Sequence, residues 1–116
     1  MLFRSYSVLG NSLCILCGAA ADLDTRALCE RMIEQRGITP ISLSMQCFFF
    51  DALLATDREH YRDYIFEKIE KTYRPMVALG LGTVWETEEG EAAFKQAGSL
   101  CHGWSAMPVY YYHLLK

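Results

Sequence analysis

The sequence predicts an all-α fold, and three observations carry that expectation. Its 116 residues are 52% hydrophobic, 13% aromatic and 22% charged, the composition of a packed globular segment. Apolar residues recur at three- and four-residue spacing in separate stretches, as one buried face of a helix requires. Helix start and stop residues, Asp24-Thr25, Gly37 and Thr39-Pro40, punctuate those stretches. No internal repeat, low-complexity tract or Pro/Gly-rich linker divides the chain, so a single helical domain is expected over residues 1–116.

The elements follow in order. A first helix is expected over about residues 11–21. Asp24-Thr25 offers a side-chain oxygen to the first free amides of a second helix, in which Leu28, Met32 and Ile33 share a face and which Gly37 ends. Pro40 sits where a missing N–H costs nothing, at the start of a third helix with Ile41, Met45, Phe48, Phe49, Ala52 and Leu53 on its apolar side. A fourth runs from about Arg58 through Tyr61, Ile65, Phe66 and Ile69, and Pro75 is expected to kink or interrupt it. Residues 82–90, between glycines and without helical period, read as a loop; a last helix over residues 105–115 buries Met107, Tyr111 and Leu114 or Leu115.

Charge and cysteine content exclude several classes. A formal net charge of −3 without a Lys/Arg run gives no footprint for phosphate backbones or anionic lipid, so neither nucleic acid nor membrane is expected as a partner. The apolar stretch after Arg4 imitates a secretory leader, but Ser5, Ser7, Asn11 and Ser12 interrupt it, and it reads as a helix. Its longest unbroken piece, residues 13–21, is far short of the ~20 residues that span a bilayer. Five cysteines are an odd set with no second pair at zinc-ligand spacing beside Cys14-x-x-Cys17, so core packing is expected and neither metal nor cofactor is implied.

Candidate chemistry concentrates in two places. Trp85-Glu86 sets a carboxylate beside an aromatic ring on a loop, the pairing a sugar site needs: the ring stacks on the pyranose and the carboxylate activates water. The alternative is a core-plugging Trp85 and a solvated Glu86. Residues 101–105 bring His102 and Trp104 to a helix start, where His102 can hydrogen-bond a sugar hydroxyl or simply satisfy nearby backbone while Ser105 caps the helix. Glu88, Glu89 and Glu91 lack calcium-loop spacing and read as a solvated face, and His60 and His113 as structural or solvent-facing. Ser99, Cys101 and His102 are too close in sequence, and lack a nucleophile elbow, to suggest a serine or cysteine hydrolase.

These segments, N-S-L-x-I-L-x-G-A-A, G-I-T-P-x-x-x-S-x-x-x-F-F-x-x-A-L, Y-R-P-M-x-x-x-G-x-G-T-V-W-E and S-L-C-H-G-W-S-A-x-P, resemble the C-terminal part of the catalytic domain of α-L-rhamnosidases and related six-hairpin glycosidases. The resemblance spans about residues 11–115, and its specific part is T-x-W-E followed by S-x-x-H-x-x-S. It implies antiparallel helical hairpins from an (α/α)6 toroid, an inverting mechanism, Glu86 as general base, His102 in the sugar pocket and Trp85 and Trp104 as pocket-wall or supporting aromatics. It implies a terminal rhamnose or similar sugar as ligand. The family's general acid lies upstream, in a part without counterpart in this sequence, and twelve helices of ~11–12 residues would exceed its length before any loop. The expectation is therefore a piece inactive alone, meeting the missing hairpins or self-associating. Two other readings remain: a small helical protein-interaction module, and a six-hairpin relative acting on another terminal sugar, since the interval from Glu86 to His102 is short.

Overall fold

The computed structural model describes residues 7–116, and their regular structure is helical without a strand. In order these are α1 (Val8–Leu16), α2 (Thr25–Glu34), α3 (Gln46–Leu79), a single turn α4 (Ala93–Gln96) and α5 (Pro108–Leu115). The chain groups into two compact units, one of Met45–Tyr61 with the chain up to Ile41, the other of Arg62–Lys116 with Ser42–Ser44. None of the described helices is long and apolar enough to cross a membrane. The leader-like stretch begins at Arg4, outside the described residues; its remainder forms α1 and the turn after it.

In the first unit, α1 starts earlier than the apolar pattern suggested because Ser7 caps it, its side chain accepting from the Gly10 amide at 3.0 Å. Its Ser12 is fully buried and donates to the Val8 carbonyl at 2.8 Å, so burying the hydroxyl leaves no unmet donor. Asp24 caps α2 as expected, accepting from Ala27 N at 3.0 Å. That helix stops before Gly37, at Glu34, where Gln35 takes the left-handed conformation with φ 55°. Cys29 and Met32 are its buried positions. On α3, Phe49, Phe50, Ala52 and Leu53 are buried while Phe48 is partly exposed, one step off the anticipated face.

The expected break between the third and fourth helices falls at Asp57, whose backbone is extended and whose carboxylate accepts from His60 N at 3.1 Å. Asp57 thus caps the second half of α3 and also pairs with Arg26 at 2.9 Å. One turn along α2, Glu30 accepts from the Tyr61 hydroxyl at 2.7 Å and lies 3.5 Å from His60 Nε2. His60 therefore has a partner that its sequence context did not show. Burial, and then the Glu30 bond, raise the Tyr61 phenol well above its usual range.

In the second unit, Ile65, Ile69, Tyr73 and Met76 of α3 and Tyr111 and Leu115 of α5 are buried, each such side chain contributing roughly 1.5–3 kcal/mol of transfer free energy. Phe66 stacks on Tyr112 at 5.4 Å, and Arg62 Nε donates to the Leu115 carbonyl at 2.8 Å. Pro75 does not interrupt α3: it sits on an exposed face, where water can serve the carbonyl left without an amide donor. The cysteines are free; Cys29 is buried, but Cys17 is exposed and Cys14 only half-buried, so that pair ends a helix and does not pack a core.

Candidate functional site

The second unit holds both motifs, and its backbone explains how they meet. Gly80 closes α3 with φ 76°, its amide bonded to the Val77 carbonyl at 3.0 Å, and Gly82 follows with φ 68°. Residues 83–86 then lie beside residues 99–102, joined to them by hydrogen bonds. Glu86 N donates to the Ser99 carbonyl at 2.9 Å and His102 N to the Val84 carbonyl at 2.8 Å. Thr83 Oγ1 adds a bond to the Leu100 carbonyl at 2.5 Å. T-x-W-E and S-x-x-H are thus joined by a short ladder of hydrogen bonds, with no strand or β-bridge among these residues.

Ser99 is its pivot. Its amide donates to Glu86 Oε2 at 3.3 Å, so the candidate carboxylate folds back onto the ladder. Its own hydroxyl donates to the Cys101 carbonyl at 3.0 Å and orders the step toward His102. One amide on Oε2 leaves lone pairs on both carboxylate oxygens, sites for a water or a hydroxyl donor. Glu86 and His102 are both half-buried, so each is held by the fold and open to solvent on one side.

The two tryptophans differ. Trp85 donates its amide to Met76 Sδ at 3.5 Å and lays its ring on Gly90, where a Cβ would come within 2.9 Å of Cε3. Gly90 is required there both by this approach and by its φ of 59°. Trp104, in the 3-10 turn Gly103–Ser105, is 75% exposed. Ser105 does not cap the last helix; it is fully buried in that turn, its carbonyl taken by the Tyr73 hydroxyl, and α5 begins at Pro108, where proline's fixed φ suits a first turn. Three buried polar atoms here, Trp85 Nε1, Thr87 Oγ1 and Ser105 Oγ, have no protein partner.

Residues 87–98 close the loop. Glu88 is exposed, as expected of a solvated face, and it also anchors the loop to α3, its Oε1 accepting from Lys68 Nζ at 3.1 Å and Thr72 Oγ1 at 3.0 Å. Gly98 passes so near Gly90 that a Cβ would fall 1.9 Å from the Gly90 carbonyl oxygen. Between them Phe94, Lys95 and Gln96 have left-handed φ of 52°, 60° and 70°, a conformation that costs L-residues roughly 1–2 kcal/mol each.

Sequence reasoning singled out Glu86 and His102 but gave no role to Thr83 and Ser99, although each leads one of the two motifs. Small hydroxyl residues at the head of extended segments were the available signal. Two hollows lie close by. One of about 400 Å³ is lined by Tyr73, Met76, Val77, Gly80, Gly82, Thr83 and Val84. A larger trough of about 580 Å³ has walls from α3 and α5 and includes Val84. Glu86, His102, Trp85 and Trp104 line neither. Compared with protein families, curated proteins and solved structures, the chain matches none.

Proposed function

We propose that this chain is a glycoside-hydrolase-like piece of the α-L-rhamnosidase, six-hairpin type, supplying a general base and part of a sugar pocket. The observation that carries the reading is the ladder joining Glu86 to Ser99 and Val84 to His102. Segments separated in sequence, which resemble one family's two site motifs, lie side by side with the carboxylate bound to the opposite rung. In this reading Glu86 removes a proton from water as it attacks the anomeric carbon, His102 binds a sugar hydroxyl, and Trp104 offers an exposed ring for stacking. Trp85, packed on Gly90, supports Glu86 from behind.

Inversion also requires a carboxylic acid ~6.5–9.5 Å from the base. Glu88 is a poor candidate, because Lys68 and Thr72 already hold it as an anchor. The acid would come from further hairpins of an (α/α)6 toroid. The chain alone is then expected to bind L-rhamnose weakly and not to hydrolyse an aryl α-L-rhamnoside. Calorimetric titration and release of the aryl group test the two halves separately. Binding retained by Glu86→Gln and lost by His102→Ala supports the assignment. No binding by the unsubstituted chain removes the pocket, and Glu86-dependent turnover removes the need for an outside acid.

The trough between α3 and α5 favours a second reading, a helical interaction module, for which surface and not carboxylate chemistry is decisive. In that case substitutions along the ladder would leave partner binding unchanged.

A further inference from the structure

The first unit carries a pair of thiols that neither reading uses. Cys14 lies in the last turn of α1, and Cys17, three residues on, caps that helix. Positions i and i+3 of a helix share one face, with Cα atoms about 5 Å apart. The backbone fixes this turn: Cys17 N donates to the Leu13 carbonyl at 2.9 Å, Gly18 N to the Ile15 carbonyl at 3.2 Å and Ala20 N to the Cys14 carbonyl at 3.2 Å. The Cys17 thiol lies back along the helix, donating to the Cys14 carbonyl at 3.6 Å. Cys17 is exposed, Cys14 is half-buried, and a Cβ built on Gly18 would meet nothing within 4 Å, so the pair is open to an incoming ion.

Two such thiols can bond to each other or share a metal ion, and the spacing separates the two cases. Cβ atoms on neighbouring turns of one helix face are about 5–6 Å apart. A disulfide needs about 3.5–4.5 Å, so closing one would unwind the hydrogen-bonded turn. An ion bonded at about 2.3 Å to each sulfur spans the wider gap with the turn intact. Thiolates select copper(I), zinc or iron–sulfur clusters. Structural zinc and the clusters take four protein ligands. Among the described residues no group of three or more His, Cys, Asp or Glu side chains is placed to hold a metal, which leaves the ion that two thiolates can satisfy. We propose that Cys14 and Cys17 form a two-coordinate site for copper(I). The ion displaces both thiol protons and keeps its oxidation state, giving a bis-thiolate complex with one net negative charge. Cys29, Cys47 and Cys101 have no second cysteine within a helical turn in the sequence and serve as controls.

Anaerobic titration of the reduced full chain with copper(I), in competition with bathocuproine disulfonate, tests this. The expected result is one ion per chain, with an ultraviolet thiolate-to-copper band and two sulfur neighbours in X-ray absorption. Cys14→Ser or Cys17→Ser should each weaken binding by about a hundredfold or more, because the second tethered ligand is lost. Cys101→Ser should change nothing. Far-UV circular dichroism should stay the same in these variants, and should Cys14→Ser disturb α1, the exposed Cys17→Ser decides alone. Failure of the chain to compete for copper(I), or binding kept in Cys17→Ser, overturns the proposal. So does one ion shared between two chains in sedimentation velocity, or a third ligand in the absorption spectrum.

Discussion

The two units are held together by different means. In the first, order comes from side-chain volume and caps: Val8, Met32, Phe49 and Leu53 are fully buried, Ser7, Asp24 and Asp57 start the helical segments, and buried Ser12 is satisfied. In the second, the stretch between α3 and α5 depends on backbone geometry. Gly80, Gly82 and Gly90 supply positive φ, Gly98 permits a close crossing, and three buried polar atoms are left without a protein partner.

The sharpest way to break this contrast is to empty one core and crowd the other unit's loop. Phe49→Ala should destabilise the chain by about 3–5 kcal/mol in denaturant unfolding, because a fully buried ring leaves a cavity. A loss under about 1 kcal/mol would mean that the site collapses freely and volume is not what holds the first unit. Gly98→Ala should cost about 1–3 kcal/mol through overpacking against the Gly90 carbonyl, and tryptophan emission should shift as the ring of Trp85 on Gly90 is disturbed. A neutral outcome would show that the crossing is looser than described.

Capping comes next in size. Asp57→Ala removes both the bond to the His60 amide and the pair with Arg26, and should cost about 1 kcal/mol. Arg26→Ala should cost less, since exposed pairs contribute about 0–1 kcal/mol. Equal effects would shift the weight from the cap to the ion pair.

A further effect is alkaline. Burial, reinforced by Glu88, pushes the Tyr64 phenol up to about 12, against an ordinary ~10. Below the ordinary value both folded and unfolded chains hold the proton and the contribution is complete. Above it the unfolded chain ionises first, so stability falls as pH rises from about 10 through 12. Tyr64→Phe should flatten that part of the profile in thermal melts, and an unchanged slope would put the loss elsewhere.

The helices were legible because periodicity and caps are local: Asp24-Thr25 and the start near Arg58 were readable from the residues, and Tyr61, Ile65 and Ile69 proved buried. Pro75 does not end the helix as expected: it sits on an exposed face, where solvent meets the freed carbonyl. Glu88 and His60 are solvent-facing, as expected, and what was not legible is their pairing. Their partners, Lys68 with Thr72 and Glu30, lie sixteen or more positions away, and pairing at that range leaves no pattern in a single sequence. The ladder was half legible: its motifs could be seen, but their adjacency is a tertiary fact.

Amide NMR of the full chain titrated with L-rhamnose tests the central claim most directly. The account predicts saturable shifts confined to residues 83–86 and 99–105, persisting in Glu86→Gln and vanishing in His102→Ala. No shifts at any sugar concentration, or shifts that map to the α3 and α5 trough instead of the ladder, would contradict it.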